Sequence, residues 1–109
     1  MRILCALLPH FPINCEKLKH PDLAARPVII TAAMGSQKVV MDYSAELKGL
    51  QREMPLQQAL SLHNAAELIH ADVHYYWSIF NEILDALDER SPLVEGTDLG
   101  EVYIGLDGL

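Results

Sequence analysis

Short apolar runs bounded by Pro and Gly predict strands in the first forty residues. The first run stops at Pro9 and is continuous and apolar, a pattern typical of a strand that is buried on both faces. Two later runs flank Gly35 and Ser36, whose turn chemistry predicts a hairpin. The predicted strands span residues 3–8, 28–31 and 38–41.

Prolines also shape the segment between the first two strands. Pro9 and Pro12 predict an extended, non-helical corner, and Asn14 is a candidate cap for a helical turn that ends near Leu18. Pro21 closes that turn, because the residue before a proline avoids the helical region.

From Tyr43 onward the apolar spacing becomes helical. A short helix is predicted over residues 45–50, and a second begins with Pro55 at its first position. After a short strand at residues 66–69, Asp72 is placed to cap the longest helix. That helix carries apolar residues at spacings of three and four, namely Tyr76, Ile79, Phe80, Ile83, Leu84 and Leu87. Ser91 and Pro92 are expected to stop it, before strands at residues 93–95 and 101–104.

This order of elements predicts an α+β fold. We expect one domain over residues 1–109, with a small mixed or antiparallel sheet, one long helix packed on it and several short helices. The chain has 109 residues and 50% hydrophobic side chains, enough to bury a core.

The net charge is −7 and the sequence pI is about 5.0, so the surface should repel phosphate. The imbalance is concentrated in residues 71–109, where Arg90 is the only Lys or Arg against nine acids. We therefore expect weak DNA binding by this chain alone.

Cys5 and Cys15 are the only cysteines, too few for a secreted disulfide framework or a zinc site. Buried, reduced thiols in a cytoplasmic protein fit better. The first apolar run is too short for a signal peptide or a membrane span, so no membrane association is expected.

Three groups of residues could support chemistry. His70 and His74 have the spacing of metal ligands, but no third ligand is evident and Asp72 is better used as a cap. Aromatic residues at positions 75–77 and Phe80 could stack on bases, although a role in the core or against a partner is favoured. Asp98, Glu101 and Asp107 could attract divalent cations, but Glu101 and Asp107 are expected to lie too far apart along the strand to share an ion, and solvated acids are favoured. Asp98 is expected to be displaced along the strand from Gly100.

Five segments carry a resemblance to a known family, and they occur in that family's order. They are RILCALLPHF, HPDLAARPVII, VVMDYSAELKGLQREMPLQQAL, IHADVHYYWSIFNEIL and SPLVEGTDLGEVYIGLDGL. Together they resemble the N-terminal part of the Y-family (translesion) DNA polymerases of the DinB/UmuC type. The resemblance implies a half palm over residues 1–12 and 71–109 and a fingers-like part over residues 13–70.

The resemblance also locates a metal and nucleotide site whose residues are largely replaced. The family's first metal-binding aspartate falls on Leu7, and the second acid of the same strand falls on Pro9. The catalytic aspartate of the later hairpin falls on Gly100, and only the adjacent Glu101 remains. No catalytic residue set is therefore intact and no metal is expected.

The nucleotide-binding positions are altered as well. The bulky ribose-excluding residue falls on Pro12, beside the aromatic Phe11. Tyr43 keeps the triphosphate-binding tyrosine as a vestige, while Glu46 replaces an arginine and would repel the triphosphate.

What the resemblance implies is a catalytically inactive homologue, such as those in bacterial mutagenesis cassettes, that acts as a scaffold or recruitment module in damage tolerance. Its partners would be other repair and replication proteins. An exposed sheet edge would also permit homo-oligomers. Two alternatives remain: a nucleotidyltransferase that uses Mg²⁺ and is completed by residues outside this chain, and a repurposed α+β dimerisation or binding domain.

Overall fold

The structure, a computed structural model, describes residues 2–90 and 94–105. Its elements run in the order β1 (Ile3–Leu7), α1 (Phe11–Lys19), a 3₁₀ helix (Pro21–Ala25), β2 (Val28–Met34), β3 (Gln37–Tyr43), α2 (Leu56–Leu62), β4 (Glu67–His70), α3 (Val73–Asp88), β5 (Val94–Asp98) and β6 (Glu101–Gly105). The predicted α+β class is confirmed.

The chain forms two compact units. The first comprises residues 1–11 and 73–109, and the second comprises residues 12–72. Each contains one three-stranded sheet, in the order β1-β6-β5 in the first unit and β3-β2-β4 in the second.

The sheet of the first unit is antiparallel, with β6 in the centre. Helix α3 packs on one face of it, where a Cβ atom at Gly96 would lie only 2.8 Å from Leu84 Cδ1. Tyr76 and Phe80 of α3 are fully buried, which confirms that this helix supplies core residues. Phe80 contacts Phe11 and Trp77 edge to face, with ring centroids 5.5 and 5.7 Å apart.

The second unit is built on the predicted hairpin. β2 and β3 are antiparallel with a turn at Gly35, and β4 joins β2 in parallel. The core of this unit lies between the sheet and α2 and is formed by Ile29, Val40, Leu47, Leu50 and Ala59. Pro55 precedes α2 as its N-cap residue, one position earlier than predicted.

Strand β1 differs from the prediction of a strand buried on both faces. Ile3, Leu4 and Leu7 are 55%, 48% and 65% exposed. The reason is topological, because β1 is an edge strand, and by register Ile3 and Leu7 lie on the face of the sheet opposite to the one on which α3 packs. Cys5 is exposed with it, so the prediction of two buried thiols holds only for Cys15.

Two helix predictions were also wrong. α1 begins at Phe11 and includes Pro12, which therefore does not form an extended corner. Proline is tolerated in the first helical turn, where its missing N–H has no intrahelical partner. Residues 45–50 form turns instead of a helix, since the Leu47 N–H donates to the Ser44 carbonyl and Gly49 has a φ of 86°.

The predicted helix stop at Ser91 and Pro92 lies outside the described residues, as does Asp107. Within residues 2–90 and 94–105, no helix is both long and apolar enough to cross a membrane. The cytoplasmic location inferred from the sequence stays a prediction.

Candidate functional site

The sequence-predicted metal positions meet on the sheet of the first unit. Leu7 of β1 is the direct cross-strand partner of Glu101 of β6, and Glu101 is in turn the partner of Asp98 of β5. Directly paired residues of antiparallel strands lie on the same face, with Cβ atoms about 5 Å apart. Leu7, Glu101 and Asp98 therefore form one row across the sheet.

This row corrects one sequence-based expectation. Asp98 was expected to be displaced along the strand from Gly100, but Leu99 and Gly100 form a two-residue turn that places Asp98 opposite Glu101. The Asp98 carboxylate also accepts a hydrogen bond from the Leu99 N–H at 2.8 Å, which ties it to the turn.

Gly100 is held in a conformation that excludes a side chain. Its φ is 79°, and a Cβ atom there would lie 2.9 Å from the Leu8 carbonyl oxygen and 3.0 Å from Phe11 Cβ. The Gly100 carbonyl accepts a hydrogen bond from the Leu8 N–H at 2.7 Å, which brings these two backbone segments together. A carboxylate at position 100 would need the turn to move.

Glu101 is engaged with a neighbouring phenol. The Tyr103 hydroxyl donates to Glu101 Oε1 at 3.2 Å, and Tyr103 is the cross-strand partner of Cys5. The Cys5 thiol beside the phenol raises the pKa of Tyr103, and the negative charge of Glu101 raises it further. Sequence reasoning missed this cluster. Glu101 and Tyr103 alternate along β6 and therefore share a face, and strand register places Cys5 of β1 on that face.

The donor set does not fit the magnesium ions that the resemblance implies. Two-metal phosphoryl transfer needs several converging oxygen ligands, whereas Leu7, Pro9 and Gly100 supply no side-chain oxygen. Across the described ranges, no three His, Cys, Asp or Glu side chains are placed to share a metal ion.

The predicted nucleotide positions are divided between the units. Phe11 belongs to the first unit, where it is buried against Phe80. Tyr43 ends β3 in the second unit and is half-buried, while Glu46 lies exposed in the following turns. Pro12 is buried in the first turn of α1.

Asp42, beside Tyr43, is a buried carboxylate that sequence reasoning missed. It accepts hydrogen bonds from the Ile13 N–H at 3.0 Å and from the Tyr43 N–H at 2.9 Å, and so joins the start of α1 to the end of β3. The signal available in the sequence was an acidic residue directly after the apolar strand predicted at residues 38–41.

The other candidate groups are not assembled as sites. His70 ends β4 and His74 lies in the first turn of α3, and both are exposed. Asp72 precedes α3 and forms an ion pair with Lys19 at 3.0 Å. Of the aromatic group, Tyr76 is buried and Trp77 is half-buried against Phe80.

Comparison with known proteins decides the family. The profile of the impB/mucB/samB family matches residues 7–109. The chain belongs to the impB/mucB/samB family. The resemblance to the N-terminal region of Y-family DNA polymerases, inferred from the motifs, is confirmed.

Curated relatives of this impB/mucB/samB chain are similar over a limited part of their length. DNA polymerase IV of Picrophilus torridus is 27% identical over 105 residues, which cover 91% of this chain and 30% of that protein. DNA polymerase IV of Streptomyces coelicolor is 31% identical over 99 residues, which cover 89% and 20%. The chain spans less than a third of these relatives.

Solved structures share the fold. DinB from Sulfolobus solfataricus superposes with a TM-score of 0.89 at 18% identity, covering 99% of this chain and 32% of that one. A post-insertion binary complex of Dbh DNA polymerase gives a TM-score of 0.91 with the same identity and coverage.

Proposed function

We propose that this chain is a non-catalytic impB/mucB/samB module that acts in DNA damage tolerance by recruiting or holding other repair and replication proteins. In this proposal the first unit is a half palm and the second is fingers-like. The observation that carries the proposal is the pairing of Leu7 with Glu101, because it puts an alkyl side chain where the family uses a metal ligand.

Electrostatics supports the loss of catalysis. Two divalent ions about 4 Å apart repel each other by roughly 17 kcal/mol at an effective dielectric of 20. In the family, converging carboxylates offset this repulsion. Here the row offers Glu101 and the turn-bound Asp98, and the neighbouring positions 7, 9 and 100 offer no anionic side chain.

Electrostatic repulsion also disfavours nucleotide binding. Glu46 places a negative charge three residues after Tyr43, where the family has an arginine that contacts the triphosphate. In this proposal Tyr43 is a vestige that packs against the core of the second unit.

The pairing of Asp98 with Glu101 favours one alternative, a nucleotidyltransferase completed by carboxylates from outside this chain. The two proposals differ in what Mn²⁺ should do. Calorimetric titration of the natural gene product that contains this chain, which would include such added carboxylates, should show only weak binding, with a Kd of about 1 mM or above. A stoichiometric site of about 10 μM that is lost in both Glu101→Gln and Asp98→Asn would support the enzyme and overturn the non-catalytic proposal.

Primer extension provides an independent test. The natural gene product that contains this chain should extend no primer, and any residual activity should be equal in its Glu101→Gln variant. Extension that disappears with Glu101→Gln would overturn the proposal, because contaminating polymerases would be unaffected by that change.

A further inference from the structure

Among the described residues of the first unit, 2–11, 73–90 and 94–105, one face of the sheet is covered by no helix of that unit. By strand register, this face carries Ile3, Cys5 and Leu7 of β1, Glu101 and Tyr103 of β6, and Glu95 and Asp98 of β5. We call these seven residues the open face. Helix α3 packs on the opposite face, where Val102 is 2% exposed and a Cβ atom at Gly96 would meet Phe80 and Leu84.

The open face is apolar along one side and acidic along the other. Ile3, Leu7 and Tyr103 are exposed by 55%, 65% and 37%. Glu95 and Asp98 are exposed on β5, and Glu101 is half-buried at the centre. Strands β1, β5 and β6 contain no Lys, Arg or His, so nothing on them neutralises the three carboxylates.

We propose that the open face is a docking surface for a protein segment that presents an apolar side chain flanked by Lys or Arg. The apolar group would pack on Leu7, Ile3 and Tyr103, and the basic groups would pair with Glu95, Asp98 and Glu101. This inference rests on the proposed function, since it names the kind of partner that the non-catalytic module recruits.

Charge complementarity selects this occupant over two others. Nucleic acid would bring phosphates against three carboxylates, and a second copy would bring the same three carboxylates against themselves. A basic segment gains from them. The exposed apolar side chains provide the buried contact that gives such an interface most of its affinity.

The test uses a short fluorescein-labelled peptide in which Lys and Leu alternate, followed by anisotropy with the 109-residue chain. We expect this peptide to bind, and matched peptides with Lys replaced by Glu or Leu replaced by Ser to bind at least about tenfold more weakly. Amide chemical shifts of the unmodified chain should change in β1, β5 and β6. This readout needs no variant to fold.

Matched variants separate the open face from general surface effects. Leu7→Ser and Glu95→Lys should each weaken binding about tenfold. Leu18→Ser changes a leucine of similar exposure, 68%, and Glu82→Lys makes the same charge change on the exposed side of α3, so both should leave affinity unchanged.

Four outcomes would overturn the inference. They are failure of the Lys–Leu peptide to bind, equal weakening by Glu82→Lys and Glu95→Lys, shift changes confined to other elements, and displacement of the peptide by single-stranded DNA or by self-association. The Mn²⁺ titration is independent of all four. A tight metal site with intact peptide binding would refute only the proposed function. Weak metal binding without peptide binding would refute only the docking surface.

Discussion

Leu7 and Glu101 face each other as directly paired residues of β1 and β6. Leu7 is 65% exposed, so this leucine does not serve the core. An exposed alkyl group beside a carboxylate contributes little to stability and prevents a second oxygen ligand at that position. In the proposed function, this pairing separates the fold, which is retained, from the metal chemistry, which has lost a ligand.

Restoring that ligand should restore part of the metal site. Leu7→Asp would place a second carboxylate about 5 Å from Glu101, and Asp98 already stands on the other side of Glu101. We expect Mn²⁺ affinity to rise at least about tenfold, measured by calorimetry, with a Tm that increases with Mn²⁺ concentration.

Ile3→Asp is the matched control for Leu7→Asp. Ile3 lies on the same face of β1 and is similarly exposed, at 55%, but it pairs with Gly105 and is four residues from position 7. It should gain no affinity. An equal gain in both variants would show that added negative charge, and not the pairing with Glu101, attracts the ion.

Gly100 should tolerate even a methyl group poorly. In Gly100→Ala the new Cβ would meet the Leu8 carbonyl oxygen and Phe11, and the residue would have to keep a φ of 79°. We expect a loss of about 2–4 kcal/mol in the free energy of unfolding, measured in urea.

Gly96→Ala tests whether crowding alone explains that loss. Its Cβ would be equally close to a neighbour, 2.8 Å, but that neighbour is the end of the Leu84 side chain, which can rotate away. Gly96→Ala should therefore cost at least about 1 kcal/mol less than Gly100→Ala. Equal costs would contradict a backbone constraint at Gly100.

Asp42 should be a stability determinant of the second unit. Its carboxylate is 3% exposed and satisfies the N–H groups of Ile13 and Tyr43. Asp42→Ala leaves both donors without this acceptor and should cost about 2–4 kcal/mol, whereas Asp42→Asn keeps one acceptor and should cost less. The exposed Asp22→Ala should change urea stability by no more than about 0.5 kcal/mol. Similar losses in Asp22→Ala and Asp42→Ala would contradict the role given to these two hydrogen bonds.

The sequence predicted elements best where a single local signal was enough. The hairpin around Gly35 and the long helix of Tyr76 and Phe80 were found because turn chemistry and apolar period agree with the tertiary structure. The start of α1 was missed because it depends on the Asp42 carboxylate, 29 residues away from Ile13. No local pattern reports that contact.

The candidate site was also predictable only as far as local motifs reach. The motifs identified Leu7, Gly100 and Glu101 as positions of one site, but only strand register reveals that Leu7 pairs with Glu101 and that Asp98 pairs with Glu101. The exposure of β1 could not be predicted from the sequence either, because an apolar run has the same pattern in a central strand and in an edge strand.

The two cysteines should differ in reactivity and in their effect on pH stability. Burial raises the pKa of the Cys15 thiol to about 11, and the charge of Glu16 adds to the rise. The folded chain then keeps this proton in a range where the unfolded chain, with a pKa of 9.0, has released it. Stability from Cys15 is therefore complete below pH 9 and falls as the pH rises toward 11, by at most about 1.4 kcal/mol per pH unit.

Urea unfolding at several pH values between 8 and 11 measures this slope, and Cys15→Ala is the control. Tyrosine and lysine titrations are common to both proteins, so the difference between their slopes isolates Cys15. Iodoacetamide should modify the exposed Cys5 in the folded chain and reach Cys15 only after unfolding. Identical slopes, or rapid modification of Cys15 in the native state, would show that the thiol is not held protonated by burial.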